Sequence, residues 1–223
     1  MATSNSTSFS LPLDELLEEA VARAGGEPTL GGEARSARRR ALNLLFTDLQ
    51  NRGVLLHTLQ QVAVSLSTSV GTVTVSSDTL DVLDMALRRS SVDHSLERIS
   101  FTDYLQISNK TRTGRPTRYF VDRQRDAPII YLWPLPENTT DQMVFWKVRF
   151  VQDAGALAND PDFPRRFWPT LVSGLAYFLA RSRGIRFPLE RLGILKTDYE
   201  EDLMRALGED RDRTTFRIIP GYT

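Results

Sequence analysis

The chain holds two histidines, His57 and His94, and these are where metal binding or proton transfer would first be sought. They lie in different segments and lack the i, i+4 spacing that places two imidazoles on one helical face, so they read as ordinary surface or strand residues. No Gly-rich loop followed by Lys-Ser/Thr occurs, and no G-x-S-x-G elbow. Ser173, in VSGLAY, falls in the middle of a helical pattern, the wrong place for a nucleophile. Asp160 and Asp162, in NDPDF, lack the other ligands of a calcium loop and read as a cap for the helix that follows. Carboxylates are plentiful, but glycoside chemistry needs two of them converging in space, and no pair is marked by its spacing. No metal or cofactor is expected, and the chain has no cysteine, which removes thiolate zinc sites, disulfides and cysteine nucleophiles together.

Two groups of residues suit binding better than catalysis. Arg35, Arg38, Arg39 and Arg40 form the densest positive patch. They read either as the solvated face of a helix or as a surface turned to an acidic neighbour or to the phosphates of passing DNA. At the far end, after a charged run from Glu209 to Arg213, stand Phe216, Arg217, Ile218, Ile219, Pro220 and Tyr222. Chain ends are usually frayed and polar. Such a tail either folds back as an edge strand or docks into another subunit through strand addition or apolar anchors, and the docking arm is the favoured reading.

Composition bounds the rest. The chain has 223 residues, 41% hydrophobic and 25% charged, in the range of globular proteins. Lys+Arg (28) and Asp+Glu (28) cancel, which argues against a protein built to grip nucleic acid but allows one that lets it pass. The polar start, MATSNSTSFS, does not read as a signal peptide, and the apolar run from Leu171 to Ala180 is too short to span a bilayer, so no membrane partner is expected; the lack of cysteine favours a reducing site of synthesis.

The elements that position these residues follow from periodicity. Leu13, Leu16, Leu17, Ala20, Val21 and Ala24 mark a helix whose other side carries Asp14, Glu15, Glu18 and Glu19. A second helix is expected over about 33–51, burying Ala41, Leu42, Leu45, Phe46 and Leu49, with Gly53 just past its end. Period two then takes over: Val62, Val64, Leu66; Val73, Val75; Leu83, Met85, Leu87; and Val144, Trp146, Val148, Phe150 on one face. A short helix capped by Thr102 is expected near 99–110. The stretch GRPTRYFVDRQRDAPIIYLWPLPE (114–137) supplies a hairpin around Arg118–Val121 and Ile129–Trp133, with Trp133 buried between the β-region and the helices. Helical spacing returns from Phe167 to Leu179, nearly apolar all round and so central, and again after Pro188. The expected fold is α+β, mainly α: an antiparallel helical bundle of 11–58 and 160–208, an inserted antiparallel β-region over 59–159, a flexible start at 1–10 and an extended C-terminal arm at 209–223.

The order of three passages carries a family resemblance. They are RRRALNLLFTDLQNRGVLLHTL (38–59), then RISFTDYLQISNKTRTGRPTRYFVDR (98–123) with IIYLWPLPE (129–137), then PTLVSGLAYFLA (169–180). In that order the chain resembles the head-to-tail adaptor proteins of tailed bacteriophages, the tail-accessory-factor type beneath the portal. The resemblance implies a structural virion protein rather than an enzyme, made in the host cytoplasm and built into the head-tail junction. It implies a homo-oligomeric ring, typically of twelve copies, between the portal protein and a tail-side nozzle or tube. Viral DNA would pass through the lumen without sequence-specific binding, and the C-terminal arm would reach the portal. The alternatives are a peptidoglycan hydrolase acting during entry, or a neck connector of a long or contractile tail.

Overall fold

The computed structural model describes residues 5–6, 9–26, 32–53, 56–182 and 188–211. Its contacts divide the chain into two compact units, Met1–His57 with Val151–Thr223, and Thr58–Phe150. Among the described residues there are five helices: α1 (Leu13–Arg23), α2 (Gly32–Asn51), α3 (Phe101–Gln106), α4 (Trp168–Ser182) and α5 (Leu189–Glu209). All but α3 belong to the first unit.

In that unit α4 packs against α1, α2 and α5. The α1 stripe is buried as its spacing requires, from Leu13 to Ala24. Its first amides have no partners within the helix; here Leu13 N–H donates to the Asn159 carbonyl (2.9 Å) and Asp14 N–H to that of Leu157 (3.1 Å). Gly25, at φ 64°, turns the chain out of α1 in a left-handed conformation open to glycine. Leu171, Leu175, Ala176 and Ala180 of α4 are fully buried. Gly174 permits a close approach there, because a Cβ would lie 2.8 Å from Tyr199 Cε2 and 2.9 Å from Leu45 Cδ1. Tyr199 of α5 is itself buried, and its hydroxyl donates to Asp48 Oδ2 at 3.0 Å. Arg52 ties the same corner by binding Asp48 (2.9 Å) and Glu200 (3.1 Å). At the other end of α5, Arg166 pairs with the buried carboxylate of Asp210. Pro188 stands one position before α5, as its N-cap.

The second unit corrects the expectation of a mainly α protein. The structure is 40% helical and 26% strand, with three sheets. The strands β1 (Leu59–Ser65), β3 (Thr79–Arg89), β4 (Val92–Ser95) and β10 (Gln142–Arg149) form one sheet in the order β1-β10-β3-β4, all antiparallel. A second sheet runs β2-β8-β7-β5, from β2 (Thr72–Thr74), β8 (Ile129–Trp133), β7 (Arg118–Asp122) and β5 (Glu97–Arg98). The third is a two-stranded ladder of β6 (Thr113–Gly114) and β9 (Leu135–Pro136). Pairs β5–β7 and β6–β9 are parallel, so the region is not purely antiparallel either. The physical reason is a separate core: Val82, Met85, Leu87, Met143 and Phe145 from one sheet join Tyr119, Val121, Ile130 and Leu132 from the other. A β-region with its own two-sheet core is a folded unit rather than a decoration on helices.

Strand alternation fails where a register shift intervenes. Between Phe145 and Lys147 the partner on β3 moves from Met85 to Val82. An irregularity of this kind re-aims the side chains on either side of it. Val82 therefore points inward while Leu83 (40% exposed) faces out, against the expected face; on β10, whose own alternation is unbroken, Trp146 (45% exposed) lies on the face opposite Phe145 and Lys147. Lys147 is turned inward, and its ammonium donates to Ser76 Oγ (2.8 Å) and to both oxygens of Asp78 (2.8 and 2.9 Å). That ammonium holds the Asp78 carboxyl below its usual range. Asp141, also buried, receives a two-pronged bond from Arg89 (2.6 and 2.9 Å), which lowers its pKa in the same way. The cap of α3 is Ser100 rather than Thr102: its hydroxyl accepts from Asp103 N–H, and Asp103 accepts from the Ser100 amide in return.

Candidate functional site

The structure disperses the residues that hinted at catalysis. His57 belongs to the helical unit, with its ring 5.2 Å from that of Phe163, whereas His94 lies on β4 opposite Leu87. Ser173 is buried in α4, and its hydroxyl donates back to the Pro169 carbonyl at 3.0 Å. Asp162 accepts from the Gln152 amide (3.0 Å), and Pro164 is the N-cap of the 3-10 turn (Arg165–Phe167) that leads into α4. No group of three potential metal ligands occurs among the described residues.

The arginine cluster is brought together on the first half of α2. Arg39 and Arg40 are exposed, Arg38 is half-buried, and Arg35 belongs to the same helix. Neither Arg39 nor Arg40 has an ion-pair partner among the described residues. Leu44 follows Arg40 by one helical turn and is 62% exposed, pointing away from the Leu42, Leu45, Phe46 and Leu49 stripe. The tail residues Phe216, Arg217, Ile218, Ile219, Pro220 and Tyr222 lie outside the described residues.

A groove in the strand unit brings together residues that the sequence does not group. Glu97, Ile99, Asp103, Asn109, Arg112, Arg118 and Trp133 line a cleft of about 780 Å3. Trp133, expected in the core, is half-buried at this cleft; its indole N–H donates to the Asn109 carbonyl (2.9 Å), with the guanidinium carbons of Arg112 and Arg118 each 5.9 Å from the ring centroid. Two cations on one indole make a recognition surface more than a core contact. The one available signal was the Arg118–Trp133 cross-strand pairing implied by the hairpin register. The carboxylates here are already engaged: Glu97 accepts from Arg118 (3.0 Å), and Asp103 serves the α3 cap, whose hydrogen bonds push its pKa down. A general acid working near neutrality needs the opposite shift. Next to the cleft, Phe101 and Leu105 of α3 are 68% and 70% exposed.

A two-unit α+β chain with ion-paired carboxylates and exposed apolar and cationic side chains describes an assembly protein by its surfaces. The sequence matches the SU10 adaptor protein family over residues 10–219, and the chain belongs to that family of phage structural adaptors. No curated protein matches it.

Proposed function

We propose that the chain is a virion head-to-tail adaptor that forms a ring beneath the portal, joins it to the tail-side nozzle or tube, and leaves a lumen for DNA. The family match carries this reading, because residues 10–219 span both units and extend into the terminal segment as far as Ile219. The role is structural rather than catalytic. Phe216, Arg217, Ile218, Ile219, Pro220 and Tyr222 act as an arm that binds the portal, and the α2 arginines belong to a subunit interface or face the lumen. A neutral overall charge suits a conduit whose DNA must leave, since tight holding of a duplex depends on neutralising its phosphates. The test is assembly on purified portal rings, followed by electron microscopy, with the full chain and with a chain ending at Asp212. The full chain is expected to add a ring to the portal and the shortened chain to stay folded but unbound. Equal assembly of the two would remove the arm, and no assembly of the full chain would remove the adaptor reading.

A further inference from the structure

The segment that follows α3 in the strand unit carries Lys110, Arg112, Arg115 and Arg118, and of these four cations only Arg118 has an ion-pair partner among the described residues. Lys110 is committed to α3 itself, since its ammonium donates to the carbonyls of Leu105 (3.0 Å) and Ile107 (2.9 Å). Arg112 and Arg118 line the cleft at Trp133 together with two carboxylates, Glu97 and Asp103. Three of these four charges are engaged: Glu97 with Arg118 (3.0 Å), and Asp103 with the Ser100 hydroxyl (2.7 Å) and amide (3.3 Å). Arg112 is the fourth. Its guanidinium lies 5.9 Å from the Trp133 centroid, and neither a carboxylate nor another hydrogen-bond acceptor engages it among the described residues. The cleft also has an apolar side, from Trp133, Ile99 and Ile107, each half-buried. Gln106 and Ser108 complete it with an exposed amide and hydroxyl.

We propose that this cleft receives an acidic segment of a partner protein, with an Asp or Glu carboxylate on the Arg112 guanidinium and an adjoining apolar side chain against Trp133, Ile99 and Ile107. The planar guanidinium fork matches a carboxylate with two parallel hydrogen bonds, and such charge-assisted pairs are stronger than neutral ones. Glu97 and Asp103 do not oppose that anion strongly, because Arg118 and the α3 cap already hold them. Gln106 and Ser108 stand ready for the backbone of the segment. Tryptophan and arginine are the residues that most often carry the binding energy of a protein interface. A nucleic-acid strand fits the cleft less well, since its affinity grows with the number of phosphates neutralised and here one free guanidinium shares the walls with two carboxylates. The site goes beyond the adaptor reading and does not depend on a ring or a portal.

The experiment selects a displayed library of short random peptides on the immobilised full chain, with counter-selection on R112E. Arg112 is exposed, so R112E and the milder R112Q are expected to keep the wild-type urea midpoint, which is checked first. The selected peptides are expected to share an Asp or Glu beside an apolar residue. Labelled and titrated in solution by fluorescence polarisation, they should lose about tenfold in affinity with R112Q and more with R112E, as for a truncated interface arginine. Replacing their carboxylates by amides should give the same loss. The control is R125E, on the turn between β7 and β8, where Arg125 is paired with Asp126 and highly exposed; it should leave binding unchanged. Single-stranded and duplex DNA of random sequence are titrated in parallel. The proposal is overturned if no peptide depends on Arg112, if R125E weakens binding as much as R112E, or if the amide peptides bind as well as the acidic ones. Tighter, Arg112-dependent binding of DNA would overturn it too, in favour of a nucleic-acid site. None of these outcomes bears on assembly with the portal, so the site and the adaptor reading stand or fall separately.

Discussion

Gly174 is the tightest point of the helical core, and its replacement by alanine gives a sharp test of the packing. The new Cβ would sit 2.8 and 3.0 Å from two atoms of the Tyr199 ring and 2.9 Å from Leu45 Cδ1. Neither neighbour can yield cheaply: both side chains are buried, and Tyr199 is held by its hydroxyl at Asp48. Overpacking of this kind costs about 1–3 kcal/mol. Against it stands the helix propensity of alanine over glycine, about 1 kcal/mol in favour. The net effect of G174A is a loss of up to about 2 kcal/mol. With a urea slope of about 2 kcal/mol/M, the unfolding midpoint of the helical unit falls by up to about 1 M. Gly193, on α5, is the internal control, because a Cβ there meets nothing within 4 Å. G193A keeps the propensity gain without the clash and raises the midpoint by about 0.3–0.5 M. Urea titrations followed by helical ellipticity measure both. A G174A chain stabilised as much as G193A would refute the close approach of α2, α4 and α5 at this glycine.

Other outcomes follow from the polar ties. D141N removes the charge that Arg89 grips with two bonds; with Arg89 one-third exposed, the loss is about 1–2 kcal/mol, read as a lower urea midpoint of the strand unit. Because the folded pKa of Asp141 lies below its unfolded value near 3.9, its contribution is present above about pH 4 and lost as pH falls through the folded value. The wild-type midpoint should therefore drop more steeply on acidification than that of D141N. Y199F deletes one hydrogen bond to Asp48 and costs about 1 kcal/mol in the helical unit. Burial pushes the Tyr199 hydroxyl above its usual pKa, so its contribution holds below about pH 10 and is lost on further alkalinisation. Ultraviolet titration should find this tyrosine protonated until the unit unfolds.

Periodicity revealed the elements wherever a single face decided burial. The stripe from Leu13 to Ala24 and the apolar α4 read correctly because a helix against one core leaves little choice. The hairpin of β7 and β8 was equally clear, since apolar runs flanked a short polar turn. What stayed hidden was set by pairing between distant segments. The shift that turns Leu83 outward arises between β3 and β10, more than fifty positions apart, and nothing local in either strand marks it. The weight of the β-region was missed for a related reason: short strands look minor singly, and only their pairing into two sheets with a shared core makes them a unit. Trp133 misled because an aromatic beside prolines usually reads as core, yet two guanidiniums, from Arg112 and Arg118, each lie 5.9 Å from its ring centroid.

The binding surfaces were legible by halves. The arginines of α2 stand side by side in the sequence and declare themselves, but the cleft at Arg112 joins Glu97, Asp103 and Trp133 from separate elements. Equal totals of 28 cations and 28 anions hide the arrangement, because folding separates what composition averages. Leu44 is the exception that a sequence can expose: it falls off the stripe that α2 buries, a leucine with no core to join. A lone exposed leucine is ordinary on a protein surface. This one lies a turn from Arg40, which has no ion-pair partner among the described residues.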